Sequence, residues 1–167
     1  FMCFLATSSV PKKNVMVTQN SIPSFPPRVG YSFPNGLGLD INCNNGDSIV
    51  ELQKKFPHLT FIGTERNEEN LKKARKKVGE YNILHMDIEK KKTLLIDQFQ
   101  IIQISDYDNF WNVIEKSFPL LEDDGLLIMK YKKKDYLEIE KLLKMKKPKK
   151  VIDNELFERI SLSKDED

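Results

Sequence analysis

Three carboxylates stand where apolar runs of the chain end, and their spacing suits the binding of a nucleoside. Glu65 and Asp87 each follow a short apolar run, and Asp40 lies at the end of an earlier one. An acid at position 65, 25 residues after Asp40, can accept both hydroxyls of a ribose, because two carboxylate oxygens match a vicinal diol. A carboxylate at Asp87 could accept a hydrogen bond from an exocyclic adenine amine. We therefore expect a nucleoside site that includes these acids.

The segment after Asp40 is rich in residues that tolerate left-handed backbone angles. Residues 42–46 read Asn-Cys-Asn-Asn-Gly, so that Asn42, Asn44 and Gly46 alternate with other residues. Asparagine and glycine adopt positive φ more readily than other residues do, so the segment predicts a tight turn between a strand and a helix. Asp40 either takes part in the site or caps that helix. Cys43 is expected to be a small buried thiol and not a nucleophile.

Apolar runs and amphipathic charged stretches alternate from residue 37 onward. The runs predict five strands, at Leu37–Ile41, Leu59–Gly63, Asn82–Met86, Phe99–Ser105 and Leu126–Tyr131. Helices are expected between them and after the fifth strand, over about residues 47–56, 67–79, 109–118 and 135–147. Two closing strands, Val151–Ile152 and Phe157–Leu162, are expected to form a hairpin.

The composition of the strands indicates how the sheet is built. The first five are almost continuously apolar, as strands are when helices cover both faces of a parallel sheet. The predicted fold is therefore α/β: a doubly wound, mostly parallel seven-stranded sheet with helices on both faces and an antiparallel closing strand.

Residues 1–36 differ in composition from the rest of the chain. They hold five of the eight prolines and show no sustained helical or strand period. We interpret them as an irregular Pro-rich arm with a short strand at Val15–Val17, and residues 37–167 as one domain. With 40% apolar and 31% charged residues, the chain of 167 residues has the composition of a globular protein and not of a disordered one.

The cysteine count and the apolar runs bear on the compartment. Cys3 and Cys43 are too few for a disulfide scaffold, so we expect a reducing interior: the cytoplasm or, for a processed chain, an organelle. No apolar run approaches the roughly 20 residues that cross a bilayer, and no spacing of cysteine and histidine suggests a metal site.

Four segments together resemble class I S-adenosylmethionine-dependent methyltransferases. Leu39–Gly46 resembles that family's glycine-rich first motif, usually an acid followed by G-x-G-x-G, and Phe61–Asn67 resembles its second motif. His85–Asp87 resembles the third motif, and Leu120–Ile128 resembles the stretch before the fifth strand. The resemblance spans residues 37–162 and implies a Rossmann-like methyltransferase domain with S-adenosylmethionine as cofactor. The implied cofactor-binding residues are Asp40, Asn42, Asn44, Gly46, Glu65 and Asp87.

The chain departs from that family at positions where glycine is expected. Asn42 and Asn44 stand where the first two glycines of the first motif would be, and Asp124 stands beside Gly125 where a second glycine is common. Asparagine can preserve the turn. Its side chain, however, either protrudes into the methionine part of the site or makes a new hydrogen bond there.

Catalytic residues are expected where the family places its substrate, at the ends of the fourth and fifth predicted strands. The segment Ser105–Asp108 is not the Asn/Asp-Pro-Pro-aromatic motif of enzymes that methylate base amino groups. Asp106 together with Lys130 resembles part of the Lys-Asp-Lys-Glu set of RNA ribose 2′-O-methyltransferases, in which a lysine deprotonates the hydroxyl. The other members of such a set would be Glu158 and either Lys12 or Lys13.

The segment Lys130–Lys150 contains ten lysines against three acidic residues, although the whole chain carries a formal charge of only +2. These lysines either form a solvated face or contact the phosphates of RNA or of a ribonucleoprotein. The sequence thus leaves two main functions open. One is a methyltransferase of unknown substrate, and the other is an inactive methyltransferase fold that serves as a structural or binding subunit. A nicotinamide-dependent oxidoreductase is disfavoured, because G-x-G-x-x-G is absent.

Overall fold

Seven strands form one sheet in the computed structural model, which describes residues 13–18, 36–90, 99–148 and 150–153. The strands are β1 Asn14–Thr18, β2 Gly36–Ile41, β3 Leu59–Glu65, β4 Ile83–His85, β5 Phe99–Ile104, β6 Leu121–Lys130 and β7 Lys150–Asp153. Their order across the sheet is β4-β3-β2-β5-β6-β1-β7. Every strand pair in the described part of the chain is parallel.

In the described part of the chain, four helices cover the two faces of this sheet: α1 Asp47–Lys55, α2 Glu68–Val78, α3 Phe110–Ser117 and α4 Tyr136–Lys146. Ile49 of α1 and Leu71 of α2 pack with Phe61 and Ile128 in one apolar cluster. The other cluster lies on the opposite face and contains residues of α3 and α4, packed against strand residues: Leu39, Ile104, Met129, Phe110, Val113, Ile139 and Leu142. The predicted α/β class, with helices on both faces of a parallel sheet, is confirmed.

Local sequence signals account for where the helices begin and end. Asn67 caps α2 by accepting a hydrogen bond from the backbone N–H of Asn70 at 3.0 Å, and Asn109 caps α3 through Asn112 in the same way at 3.1 Å. The first turn of α2 is acidic and its last turn basic, which complements the helix dipole. No helix in the described part of the chain is long and apolar enough to cross a membrane.

Strand β1 corrects the prediction for the N-terminal region. The sequence predicted a short strand at Val15–Val17 but placed it in an irregular arm; in the structure β1 lies between β6 and β7. Val15, Met16 and Val17 are each 2–3% exposed, so these residues belong to the core. Residues 1–12 and 19–35 of the predicted arm lie outside the described residues. The boundary at residue 36 therefore stays a prediction.

The closing strand was expected at Phe157–Leu162, which lies outside the described residues, as does Glu158. The seven strands of the sheet therefore include β1, which the sequence had assigned to the arm. Strand β1, from the N-terminal region, pairs with β6 in parallel.

Candidate functional site

The candidate site lies at the carboxyl ends of the strands, where the order of the sheet reverses. From β2 the chain builds outward through β3 and β4, and then returns to β5 on the other side of β2. Open α/β sheets bind ligands in the crevice at such a reversal. The strands end here in Asp40-Ile41, Glu65 and Ile104, so the acids identified from the sequence belong to this edge.

The loop after β2 keeps an alternating left-handed backbone. Asn42 has φ 55°, Asn44 has φ 54° and Gly46 has φ 95°. These are the three positions that align with the glycines of the first methyltransferase motif. The expectation that asparagine preserves the turn is therefore confirmed. Asp124 adopts the same kind of conformation, with φ 62°.

The backbone angle at Gly46 and its close packing both require glycine. Its φ is one that side chains disfavour, and it is the N-cap of α1. A Cβ at this position would also lie only 3.0 Å from the Cα of Ala74, in α2. The third glycine of the motif therefore serves the close packing of α2 against the start of α1.

The Asn42 side chain lies under the loop and links two strands. Asn42 is 1% exposed, and its Nδ2 donates to the carbonyl oxygen of Asp106, just after β5, at 2.6 Å. Its backbone N–H donates to Thr64 Oγ1 at 3.1 Å. Its Oδ1 is buried and has no hydrogen-bond partner among the residues that the structure describes. The side chain thus spans the crevice between β2 and β5 and leaves one buried acceptor available.

Glu65 is buried at 2% exposure, and backbone donors surround its carboxylate. Oε2 accepts from the N–H of Asn44 at 2.6 Å, and Oε1 accepts from the N–H groups of Arg66 and Asn67, both at 3.0 Å. The acid predicted to bind a ribose therefore also fixes the loop after β2 and the start of α2. Of its two oxygens, Oε2 has the capacity for a further hydrogen bond.

Asp40 is fully buried and fills a structural position. Its carboxylate accepts from Ser48 Oγ at 2.5 Å, Ser105 Oγ at 2.7 Å and Gln103 Nε2 at 3.3 Å. Burial raises the pKa of Asp40 to about 6, although these hydrogen bonds and the charge of Lys130 oppose the rise. Asp40 is not the N-cap of α1, a position that Gly46 occupies. It joins β2, β5 and α1 behind the site.

Asp87 and Glu89 lie in the turn after β4. Asp87 Oδ1 accepts from the backbone N–H of Glu89 at 3.0 Å, and Oδ2 lies 3.9 Å from Arg66 Nη1. Glu89 was not identified from the sequence. Its two carboxylate oxygens accept from the N–H groups of Asp108 and Asn109, at 2.9 and 2.8 Å. Glu89 therefore fastens the turn after β4 to the start of α3.

Asp106 lies at the site, but its basic neighbours differ from the predicted one. Its carboxylate is within 3.4 Å of Arg66 Nη2 and 3.7 Å of Lys132 Nζ. Lys132 also donates to the carbonyl oxygen of Tyr107 at 2.6 Å. Lys130 ends β6 and stabilises the ionised form of Asp40 by its charge, and it forms no ion pair with Asp106. Sequence reasoning missed both Arg66 and Lys132, because nothing in their spacing identifies their partners.

Arg66 forms ion pairs with several carboxylates of the site. Its Nη1 lies 2.7 Å from Asp108 Oδ2 and 3.5 Å from Glu89 Oε2. Partial burial acts to lower the pKa of Arg66, but the hydrogen bond and charge of Asp108 and the charges of Asp106 and Asp87 raise it above its ordinary value. A cavity of about 450 Å³ opens beside this cluster, lined by Arg66, Asn67, His85, Met86, Asp87 and Lys90.

The remaining candidates have structural places. Cys43 is buried, so the expectation of a small buried thiol is confirmed, and burial first of all, with the charges of Asp40 and Glu65, raises the pKa of this thiol to about 12. His85 is exposed and lies 3.1 Å from the carbonyl oxygen of Arg66. No group of three potential metal ligands occurs in the described ranges.

The lysine-rich segment divides between the two ends of α4. Lys132–Lys134 follow β6 after the buried Tyr131, at the same edge of the sheet as Asp106, and are exposed. Lys144 and Lys147 lie at the other end of α4, about 16 Å away along a helix of 11 residues. Lys141 and Lys146 are paired in part with Glu138 and Glu115, at 3.9 and 2.9 Å.

Solved structures share this architecture. A precorrin-6y C5,15-methyltransferase from Geobacter metallireducens has a TM-score of 0.55, covers 70% of this chain and 65% of its own, and is 16% identical. A TehB-like S-adenosylmethionine-dependent methyltransferase from Corynebacterium glutamicum has a TM-score of 0.53, with 67% and 66% coverage and 16% identity. The chain has the fold of S-adenosylmethionine-dependent methyltransferases. The resemblance found in the sequence is thus confirmed at the level of the fold.

A stretch of this methyltransferase fold also has a relative in sequence. The chain is 38% identical over 66 residues to a tRNA (guanine-N(7)-)-methyltransferase from Mycoplasmopsis agalactiae. The matched region covers 40% of this chain and 30% of that relative, so it spans less than a third of the relative's length. No protein-family model matches the chain.

Proposed function

We propose that this chain binds S-adenosylmethionine at the carboxyl ends of β2, β3 and β4 and transfers a methyl group to RNA. The observation that carries the proposal is the loop after β2. Its residues 42, 44 and 46 have the left-handed conformations that a glycine motif would provide, although two of them are asparagines. A turn that had lost its role would have no need for three left-handed positions in alternation.

The residues at this edge fit an adenosyl ligand. Within the described ranges, Asn42 Oδ1 is a buried acceptor without a partner, and Glu65 Oε2 accepts one hydrogen bond, from Asn44. The donors of the ligand are an α-ammonium group, two ribose hydroxyls and an adenine amine. We assign the ammonium group to Asn42, a ribose hydroxyl to Glu65 and the amine to Asp87, beside the cavity.

Methyl transfer requires the chain mainly to position the cofactor and the nucleophile. S-adenosylmethionine, when bound, would supply an electrophilic methyl group for in-line attack, and its neutral thioether, S-adenosylhomocysteine, would be the leaving group as the C–S bond breaks. Asp106, at the mouth of the crevice, can accept a hydrogen bond from the attacking N–H or O–H group and take up its proton. Lys132 holds that carboxylate in place at 3.7 Å. Lys130, at the end of β6, is the second candidate for a substrate contact.

RNA is the substrate class that the surface favours. Exposed Lys133 and Lys134 have no ion-pair partner in the described ranges, and they follow the same strand end as Lys132, which contacts Asp106. Phosphates bound there would place a nucleotide beside Asp106. The similarity of part of the chain to a tRNA methyltransferase supports the same class.

One group of observations favours a second function, that of an inactive methyltransferase fold within a larger assembly. The Asn42 side chain spans the crevice, and three backbone N–H groups already bind the Glu65 carboxylate. A subunit of this kind would use the lysines of α4 for contact with its partner and would bind no nucleoside.

Calorimetric titration with S-adenosylmethionine and S-adenosylhomocysteine separates the two functions. We expect micromolar binding to the wild type and binding about tenfold weaker in Glu65→Gln, a loss of about 1.4 kcal/mol. Thermal melting of both proteins shows whether the variant is folded. A folded wild type that gives neither heat nor a thermal shift at millimolar ligand contradicts the methyltransferase and leaves the structural subunit.

The substrate class requires its own test. We expect transfer of tritiated methyl groups to total RNA by the wild type, and transfer to be lost in Asp106→Asn while cofactor binding is retained. RNA affinity should fall in Lys133→Ala/Lys134→Ala, with a smaller dependence on salt, because fewer phosphates are neutralised. Lys144→Ala/Lys147→Ala, at the far end of α4, is the matched control. Equal losses in both double variants would contradict this placement of the RNA.

A further inference from the structure

Arg66 is the first residue after β3, and its side chain reaches over the site to the loop after β5. Nη1 lies 2.7 Å from Asp108 Oδ2, and Nη2 lies 3.4 Å from both Asp108 Oδ1 and Asp106 Oδ2. Because β2 lies between β3 and β5 in the sheet, a link between the ends of those two strands must pass over the end of β2. That position is the mouth of the crevice.

The guanidinium is held there from two sides. Asp106 and Asp108 lie after β5, while Asp87 and Glu89, after β4, lie 3.9 and 3.5 Å from Nη1. Four carboxylates thus converge on one cation. With 25% of its side chain exposed, Arg66 covers the edge of the crevice without filling the interior of the fold.

We propose that Arg66 is a latch across the crevice: its ion pairs with Asp108 and Asp106 close the site, and a nucleoside ligand enters only when the guanidinium leaves them. The latch rests on the proposed function, since it regulates access to the same site. It makes Arg66 a residue that opposes ligand binding, whereas Glu65 and Asn42 favour it.

The exposure of the partners sets the size of the effect. Asp108 is 78% exposed and Asp106 41%, so both pairs compete with water and salt. Exposed ion pairs contribute at most about 1 kcal/mol, so opening the latch should cost the ligand at most a factor of about five in affinity. A loss of affinity of this size still permits the ligand to enter the crevice, and titration can measure it.

Ligand charge provides a second signature. Removal of Arg66 leaves four carboxylates around the crevice without their shared cation. S-adenosylmethionine carries one more positive charge than S-adenosylhomocysteine. Its affinity should therefore increase more than that of S-adenosylhomocysteine when the latch is removed.

The test is calorimetric titration of wild type, Arg66→Ala, Asp108→Asn and Lys77→Ala with both ligands, at 50 and 500 mM NaCl. Lys77 forms a 2.6 Å ion pair with Asp47 between α2 and α1, and it is the matched control for loss of an exposed pair outside the crevice. We expect S-adenosylhomocysteine to bind two- to fivefold more tightly to Arg66→Ala and Asp108→Asn, and unchanged to Lys77→Ala. High salt should tighten binding to the wild type and not to Arg66→Ala.

The titrations distinguish failure of the latch from failure of the proposed function. Two- to fivefold tighter binding to Arg66→Ala and Asp108→Asn than to the wild type supports the latch. Wild-type binding that Arg66→Ala leaves equal or weakens overturns the latch, because Arg66 is then neutral or a ligand contact, and the proposed function stands. No binding to either protein, both folded by thermal melting, overturns the proposed function and the latch with it.

Discussion

Asn42 Nδ2 donates a 2.6 Å hydrogen bond to the carbonyl oxygen of Asp106, which joins the ends of β2 and β5 across the point where the sheet reverses. In a glycine-based loop this link cannot exist, because it needs a side chain. The bond accounts for how an asparagine is accommodated at a left-handed position: its side chain lies under the loop, at 1% exposure, and does not project outward. The substitution therefore adds a contact between strands while it preserves the turn.

Substitution at position 42 should separate the hydrogen bond from the backbone strain. Asn42→Ala loses the bond to Asp106 and places alanine at φ 55°, and we expect a loss of about 2 kcal/mol in the free energy of unfolding. Asn42→Gly loses the bond but is free of strain, so it should be about 1 kcal/mol more stable than the alanine variant. Urea unfolding measures both, and equal stability of the two variants would contradict the role of the backbone angle.

Gly46→Ala should be markedly destabilising. It combines a φ of 95° with a contact of 3.0 Å to the Cα of Ala74, a backbone atom that cannot move without shifting α2. We expect a loss of about 3 kcal/mol by urea unfolding. Gly79→Ala is the control, since its φ of 114° is also unfavourable but its Cβ would meet only the movable side chain of Asn82. The idea fails if Gly79→Ala costs as much as Gly46→Ala.

Glu65→Ala tests how far the acid at the end of β3 supports the loop. The variant leaves the N–H groups of Asn44, Arg66 and Asn67 without their acceptor, and we expect a loss of about 3 kcal/mol of stability. Glu69→Ala removes only an exposed pair with Lys73, at 3.9 Å, and should stay within about 0.5 kcal/mol of the wild type. Similar melting temperatures for the two variants would show that the carboxylate has no structural role.

The buried carboxyl of Asp40 should produce a pH dependence of stability. Burial raises its pKa from 3.8 to about 6, so between about pH 4 and pH 6 the folded state binds more protons than the unfolded state does. Stability contributed by this group is present at low pH and is lost as pH rises through 6. Relative to the wild type, Asp40→Asn should therefore gain about 2 kcal/mol between pH 4 and pH 7.

Asp47 supplies the control of opposite sign for that experiment. The hydrogen bond and charge of Lys77 lower the pKa of Asp47, so its contribution is present above the unfolded pKa and is lost on acidification. Relative to the wild type, Asp47→Asn should lose stability as pH rises. Parallel profiles for the two variants in chemical unfolding at several pH values would show that Asp40 does not titrate as described.

Local signals in the sequence were enough to predict most elements of the fold. Alternating apolar runs predicted the strands from Leu37 to Tyr131, asparagines predicted the starts of α2 and α3, and the Asn-x-Asn-x-Gly spacing predicted a left-handed turn. These features depend on neighbouring residues, through backbone angles, helix caps and hydrophobic period. They were sufficient to identify the methyltransferase fold and the edge on which its site lies.

Tertiary contacts, and not local signals, determine which side chains meet at that edge. Arg66 pairs with Asp108 across 42 residues of sequence, Lys132 and not Lys130 approaches Asp106, and Glu89 fastens one loop to the start of α3. Tertiary contacts also place β1 in the interior of the sheet. The reason is physical: strand order and register bring distant residues together, and the reach of a long side chain then selects its partner among several nearby charges. The spacing of residues along the chain shows neither the order and register of the strands nor the partner that a long side chain reaches.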